Sequence, residues 1–241
     1  MPRRDASLVS RVSRRDALLW LGAAGIAGIA AACTSPSSSI DAAGSGSPAG
    51  SGSSGGATPS CVLSPEMTEG PYYIDGEAVR SDVTEGKPGV PLRLALTVVD
   101  ATTCSFLPKA AVEIWHADAG GNYSGFGVTE SNTTFLRGVQ IADATGKVHF
   151  TTVYPGWYMG RATHIHLMVH VDGKVVHTGQ LFFDEAINDT VYARAPYNGH
   201  TGQRTLNDQD GIYANGGAAS TVALTKDGDG YAGEITLGVR S

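Results

Sequence analysis

Two histidines separated by one residue, His164 and His166, are the side chains in this sequence best spaced to hold an ion. On a strand, residues i and i+2 share a face, with backbones about 6–7 Å apart. Both imidazoles can then reach one metal at bonds of about 2 Å. Two strand histidines facing solvent is the competing reading, so the neighbours decide. No Asp or Glu follows closely, so a two-His-one-carboxylate centre needs a distant acid. No short-spaced Cys pair suggests structural zinc. His170 has the same parity but lies about 13 Å along the strand from His166, too far for the same ion. Tyrosines are close by: Tyr154 and Tyr158 upstream, and Tyr123 after the turn Gly120-Gly121-Asn122. A phenol ionises at about pH 10. A bound cation can remove that proton at neutral pH. Phenolate is a hard anionic donor that suits ferric iron better than zinc.

These residues need rigid strands, and the chain supplies them. Apolar, β-rich runs fall at 92–99, 111–115, 147–153, 164–171 and 179–183, with closing strands within 220–239. Turn signals separate them: Pro88-Gly89, Gly120-Gly121-Asn122, Ala144-Thr145-Gly146, Pro155-Gly156 and Asp172-Gly173. This rhythm predicts an all-β fold, a β-sandwich core with long loops, as one domain over 61–241. One short helix is expected within 184–194, and 195–213 reads as a polar loop.

The N-terminal quarter reads as address and tether. Residues 1–32 hold five Arg and two Asp, and Arg14-Arg15 precede an apolar stretch, as in a twin-arginine-type export signal. Ala30-Ala31-Ala32-Cys33 resembles a lipoprotein cleavage box with Cys33 lipidated; cleavage that releases a secreted protein is the other reading. Residues 33–60 are nearly all Ser, Gly, Ala, Pro and Thr, a flexible tether. A membrane is then a partner only through the lipid anchor. The remaining 209 residues carry 12 basic and 21 acidic side chains, a net charge of -9, which excludes a phosphate-binding footprint and so nucleic acid. In an exported chain whose Cys33 carries lipid, Cys61 and Cys104 are left to pair with each other.

The body resembles the intradiol ring-cleavage dioxygenases, especially their protocatechuate-type core. The resemblance is carried by blocks in order: Leu63 to Tyr73, with Glu69-Gly70-Pro71-Tyr72; Val112-Glu113-Ile114-Trp115-His116 through Tyr123-Ser124-Gly125; Phe135-Leu136-Arg137-Gly138; Pro155-Gly156-Trp157-Tyr158; Arg161-x-x-His164-Ile165-His166; and Thr178-Gly179-Gln180-Leu181-Phe182-Phe183. It implies non-haem Fe(III) held by Tyr123, Tyr158, His164 and His166, with Tyr158 the phenol that substrate displaces. It implies a catalytic Arg161 and an active-site Gln180, and pocket walls from Pro71, Tyr72 and Tyr73. The reaction implied is cleavage of a catechol-type diol by O2 between its hydroxylated carbons, giving a cis,cis-muconate-type diacid. The sequence departs where Ala162-Thr163 stand in place of Pro-Ala. It also lacks the helical dimerisation segment of the catechol and hydroxyquinol branch, and so looks like the exported, single-domain branch.

Two rival readings remain at this level. One is a non-catalytic surface module, a transthyretin-like or immunoglobulin-like sandwich on a stalk. The other is a zinc or copper hydrolase built on His164 and His166, which leaves the tyrosine spacing unexplained. The acidic body disfavours steering of anionic aromatics, unless a local cation such as Arg137 offsets it.

Overall fold

The computed structural model describes residues 61–241. The signal segment, Cys33 and the tether lie outside the described residues. Eight strands form two four-stranded sheets. The first has the order β4 (Lys147–Val153), β1 (Pro91–Asp100), β8 (Gly230–Val239), β7 (Ala223–Asp227). The second has the order β3 (Arg137–Ile141), β2 (Ala111–Trp115), β5 (His164–Val171), β6 (Lys174–Phe182). Among the described residues α-helix is confined to a single turn, α1 (Gly127–Glu130), and to α2 (Glu185–Tyr192), whose N-cap Asp184 accepts from the Ala186 N–H; short 3-10 turns follow within 197–220.

Alternation decides which face of each strand goes inward. Leu92, Leu94, Leu96 and Val98 of β1 meet Val112 and Ile114 of β2 and Ile165, Leu167 and Val169 of β5 in one buried core. The opposite side chains of β5, His164, His166 and Met168, are buried as well. A strand buried on both faces needs a second cover, and the segment 64–80 with the loops 116–136, 155–163 and 200–216 provides it. The site therefore sits on the outer face of the second sheet, against a rigid core behind.

The covering segment is fastened at several points. Ser64 N–H donates to the Gly238 carbonyl and Met67 N–H to Thr178. Glu66 accepts from His177 Nδ1 at 2.9 Å and from the Thr178 N–H. A disulfide joins Cys61 to Cys104, with Cα atoms 5.2 Å apart across 43 residues of chain. Closing a loop of that length stabilises by about 4 kcal/mol in the chain-entropy account. Replacing Cys104 by Ser should therefore lower the unfolding free energy by roughly 2–4 kcal/mol, read by denaturant melts. An unchanged midpoint would show that the cross-link carries no stability.

A second consequence sits on β2. Glu113 is buried beside the carboxylates of Glu77 and Asp75. Burial first, and those two charges next, push its pKa up to about 7 against the pull of Arg137. Between its ordinary value and 7 the folded chain binds a proton that the unfolded chain releases. Stability contributed by this residue thus falls as pH rises through that window. Glu113→Gln should stabilise the chain at pH 8 on the order of 2 kcal/mol, with the gain vanishing below about pH 4.5. Melts at the two pH values check this; an equal difference at both would refute it.

Candidate metal centre

β5 presents His164 and His166 side by side on its outer face, and their Nε2 atoms lie 3.0 Å apart. The Tyr158 hydroxyl, from the loop entering β5, stands 3.2 Å from His164 Nε2. The Tyr123 hydroxyl, from the loop after β2, stands 3.4 Å from the same atom. Two imidazoles and two phenols from three separate stretches of chain thus converge on one point.

The hydrogen bonds fix which atoms face that point. His164 Nδ1 donates to the Ala162 carbonyl at 2.6 Å, so its Nε2 offers a bare lone pair inward. His166 is stacked on Trp115, its cross-strand partner, at 5.0 Å and 3°. Its Nδ1 is buried without a protein partner. Burial, with Arg161 adding to it, pushes the His164 pKa down to about 3. Burial and the neighbouring His164 drive His166 well below the ordinary range. Both rings are therefore neutral, the form that ligates metal. Burial raises Tyr123 well above an ordinary phenol, and raises Tyr158 against the opposing pull of Tyr123 and Arg161. Without a cation these phenols keep their protons; a bound cation reverses that balance.

This donor set fits ferric iron. Two nitrogen lone pairs and two hard oxygen donors close on one point, and two phenolates would offset most of the ion's charge. Among the described residues no group of three or more His, Cys, Asp or Glu is placed to hold a metal. The side-chain oxygens that stand beside this histidine pair are the two phenols.

The covering segment packs on the phenols. Tyr72 stacks on Tyr123 at 4.3 Å and meets Tyr158 edge-on at 6.0 Å. Tyr73 turns to Trp115 at 5.2 Å. Pro71 is exposed beside them. Gly70 has φ +71°, and a Cβ there would meet His166 Cε1 at 3.0 Å, so the backbone lies against a ligand ring where no side chain fits. Gly70, Tyr72, Tyr123, Tyr158, His164 and His166 are the residues brought together.

Arg161 and Gln180 join the centre as a pair. Arg161 Nη1 lies 3.5 Å from His164 Nε2, and Nη2 donates to Gln180 Oε1. Gln180 Nε2 in turn donates to the Thr68 carbonyl at 2.9 Å. Both ends of this amide are engaged, so Gln180 braces the arginine. The departure at Ala162-Thr163 has its own anchorage: Ala162 N–H donates to Asp210, and Thr163 Oγ1 bonds the Tyr192 hydroxyl at 2.6 Å. Arg137 is not free to receive an anionic substrate. It is buried, donates to Ser124 through Nε and Nη2, and pairs with Glu77 at 3.7 Å. His116 is a structural residue, bonded to the Ala117 carbonyl and the Thr152 hydroxyl at 2.8 and 2.7 Å. His170 stands 3.4 Å from Glu113, away from the centre.

Asp210 was not singled out in the sequence, because it lies in the stretch expected to be polar loop. It is buried, and burial alone would raise its pKa. Hydrogen bonds from Ala162 and Ile212 and the Arg161 guanidinium outweigh that and hold it below the ordinary carboxylate range. The only local signal for it is an acid among turn residues, with Asp208 two positions before it, which is too common to read.

A β-sandwich carrying two imidazoles, two phenols and a braced arginine on its outer face defines a class of protein with a mononuclear-metal donor set. Comparison with known proteins narrows the class. A family model described as dioxygenase matches residues 64–216. The catechol 1,2-dioxygenase of Acinetobacter baylyi is 34% identical over 142 residues, covering 49% of this chain and 45% of that one. An intradiol ring-cleavage dioxygenase from Tetranychus urticae superposes with TM-score 0.70 at 36% identity, over 74% of this chain and 94% of that chain. The dioxygenase domain of a dioxygenase carbohydrate-binding fusion from Streptomyces sp. SirexAA-E superposes with TM-score 0.57 at 28% identity, over 73% and 96%. This chain belongs to the intradiol ring-cleavage dioxygenases. It spans about half the length of the curated relatives it matches.

Proposed function

We propose that this chain is an Fe(III)-dependent intradiol dioxygenase that opens a catechol-type ring between its two hydroxylated carbons with O2. The observation that carries the reading is the convergence of Tyr123, Tyr158, His164 and His166 on one point, with Arg161 beside it. The chemistry that ferric iron supplies when bound is chelation of both diol oxygens and withdrawal of electron density from the ring, which opens a ring carbon to O2. The protein's own groups divide the remaining work.

The two tyrosines differ in freedom. Tyr123 is 4% exposed and lies under Tyr72, so it stays in place. Tyr158 is less buried and sits on an entering loop, so it can swing aside and take a diol proton on its phenolic oxygen. Arg161 aims Nη1 at the point where negative charge develops. Tyr72, Tyr73 and Trp115 keep water from the reacting face.

The cellular placement we propose rests on the sequence: export through the twin-arginine-type signal, then either a lipid anchor at Cys33 or release. The Cys61–Cys104 disulfide fits an oxidising compartment.

A visible absorption spectrum of the purified chain, with and without catechol, tests the function. A tyrosinate-to-Fe(III) charge-transfer band that moves to longer wavelength on adding catechol is the expected result. A colourless protein after iron loading refutes the reading and returns the tyrosines to ordinary sandwich packing.

A further inference from the structure

Asp210 follows the short turn Asn207–Gln209, 49 residues along the chain from Arg161. Its carboxylate is almost fully buried, and every hydrogen bond it receives is directional. Oδ2 accepts from Arg161 Nε at 3.0 Å and from the Ala162 N–H at 2.7 Å. Oδ1 accepts from the Ile212 N–H at 2.7 Å and the Tyr213 N–H at 3.4 Å. Two chains of bonds start from this one group. The first runs through Arg161 to Gln180 and on to the Thr68 carbonyl. The second runs to the Ala162 N–H and across the Ala162 Cα to that residue's own carbonyl, which accepts from His164 Nδ1.

We propose that Asp210 is the positioning residue of this centre, aiming the Arg161 guanidinium and anchoring, at the Ala162 N–H, the stretch of backbone whose next carbonyl keeps the proton of His164 on Nδ1. The proposal rests on the catalytic reading of Arg161 given above. A guanidinium held at Nε by Asp210 and at Nη2 by Gln180 has its plane set, and the nitrogen left over, Nη1, faces His164 Nε2. Because the carboxylate offsets the cation's charge, Arg161 contributes aimed N–H groups more than net charge. On the second chain, Asp210 anchors the backbone at the Ala162 N–H, one Cα away from the Ala162 carbonyl that selects the His164 tautomer. Loss of Asp210 frees both at once.

The test uses the full-length, iron-loaded chain and the nearly isosteric variant Asp210→Asn. Iron release to a chelator should quicken about 10–100-fold, the range for removing a group behind a metal ligand. Turnover should fall about tenfold or more while KM stays within about twofold. On an Arg161→Ala background, Asp210→Asn should lower kcat by less than about twofold, because both changes act through one guanidinium. The faster iron release should persist there, because it runs through Ala162. Wild-type kcat and iron release in Asp210→Asn, or a full second loss of kcat on the Arg161→Ala background, overturns the proposal.

Should Asp210→Asn fail to fold, Arg161→Lys gives the answer instead. It keeps the charge and leaves the backbone bonds of Asp210 intact, yet cannot bridge Asp210 and Gln180. Turnover as low as that of Arg161→Ala supports the role, and wild-type turnover overturns it. An iron-loaded wild-type chain without the visible band overturns the function itself, and is seen before any variant is made.

Discussion

Replacing His164 by Ala should leave a chain that folds and does not retain iron. His164 Nε2 is the atom nearest to the other three donors: His166 Nε2 at 3.0 Å and the Tyr158 and Tyr123 hydroxyls at 3.2 and 3.4 Å. Its ring is neutral and locked by the Ala162 carbonyl, so nothing must reorganise for it to bind. Removing a group that merely supports a ligand already costs about 10–100-fold in metal affinity, and removing the ligand costs more. The fold should survive, because the core lies on the other face of β5, at Ile165, Leu167 and Val169. Iron per chain, measured after gel filtration, should fall below about a tenth of the wild-type value, and the visible band should vanish with it. Tyr123→Phe removes a donor oxygen while keeping the ring under Tyr72, and should bleach the band in the same way. Normal ferric content in both variants would sink the ligand assignment.

The strands and the metal centre are unequally legible in the sequence. The strands 111–115, 147–153 and 164–171 could be read to the residue, since apolar periodicity and Gly-bearing turns coincide there. β3 was missed: Arg137-Gly138-Val139-Gln140-Ile141 has too few apolar positions to alternate, and it is a strand because β2 pairs with it. The segment 195–213 reads as loop, yet it winds through short 3-10 turns at Tyr197–Gly199 and Asn207–Gln209, and Asn207 and Asp210 inside it are buried. Polar composition reports exposure only on average, and a carboxylate with enough N–H donors can be buried. The His-x-His pair was visible because a strand's period is local. That Tyr123 reaches His164 from 41 residues away was visible only through family likeness, because no local period links two loops. The brace at Thr68, Gln180 and Asp210 joins backbone and side chains across three stretches of chain, and no spacing in the sequence encodes it.

Arg161→Ala should separate binding from turnover. Arg161 contributes no donor atom to the iron site, so metal content and the visible band should stay as in wild type, and catechol should still shift the band. What the variant lacks is the N–H group aimed past His164 Nε2 at the reacting face, on a side chain held by Asp210 and Gln180. Removing one preorganised donor of this kind costs about 10²–10³ in kcat. Because the interaction strengthens only as charge develops, kcat and kcat/KM should fall together and KM should barely move. A rise in KM at unchanged kcat would instead assign Arg161 to uniform substrate binding, and full turnover would remove it from the reaction. The stopped-flow spectrum distinguishes these outcomes in one experiment. The diol complex of the variant should form at the wild-type rate and then persist, since only its reaction with O2 depends on the missing guanidinium.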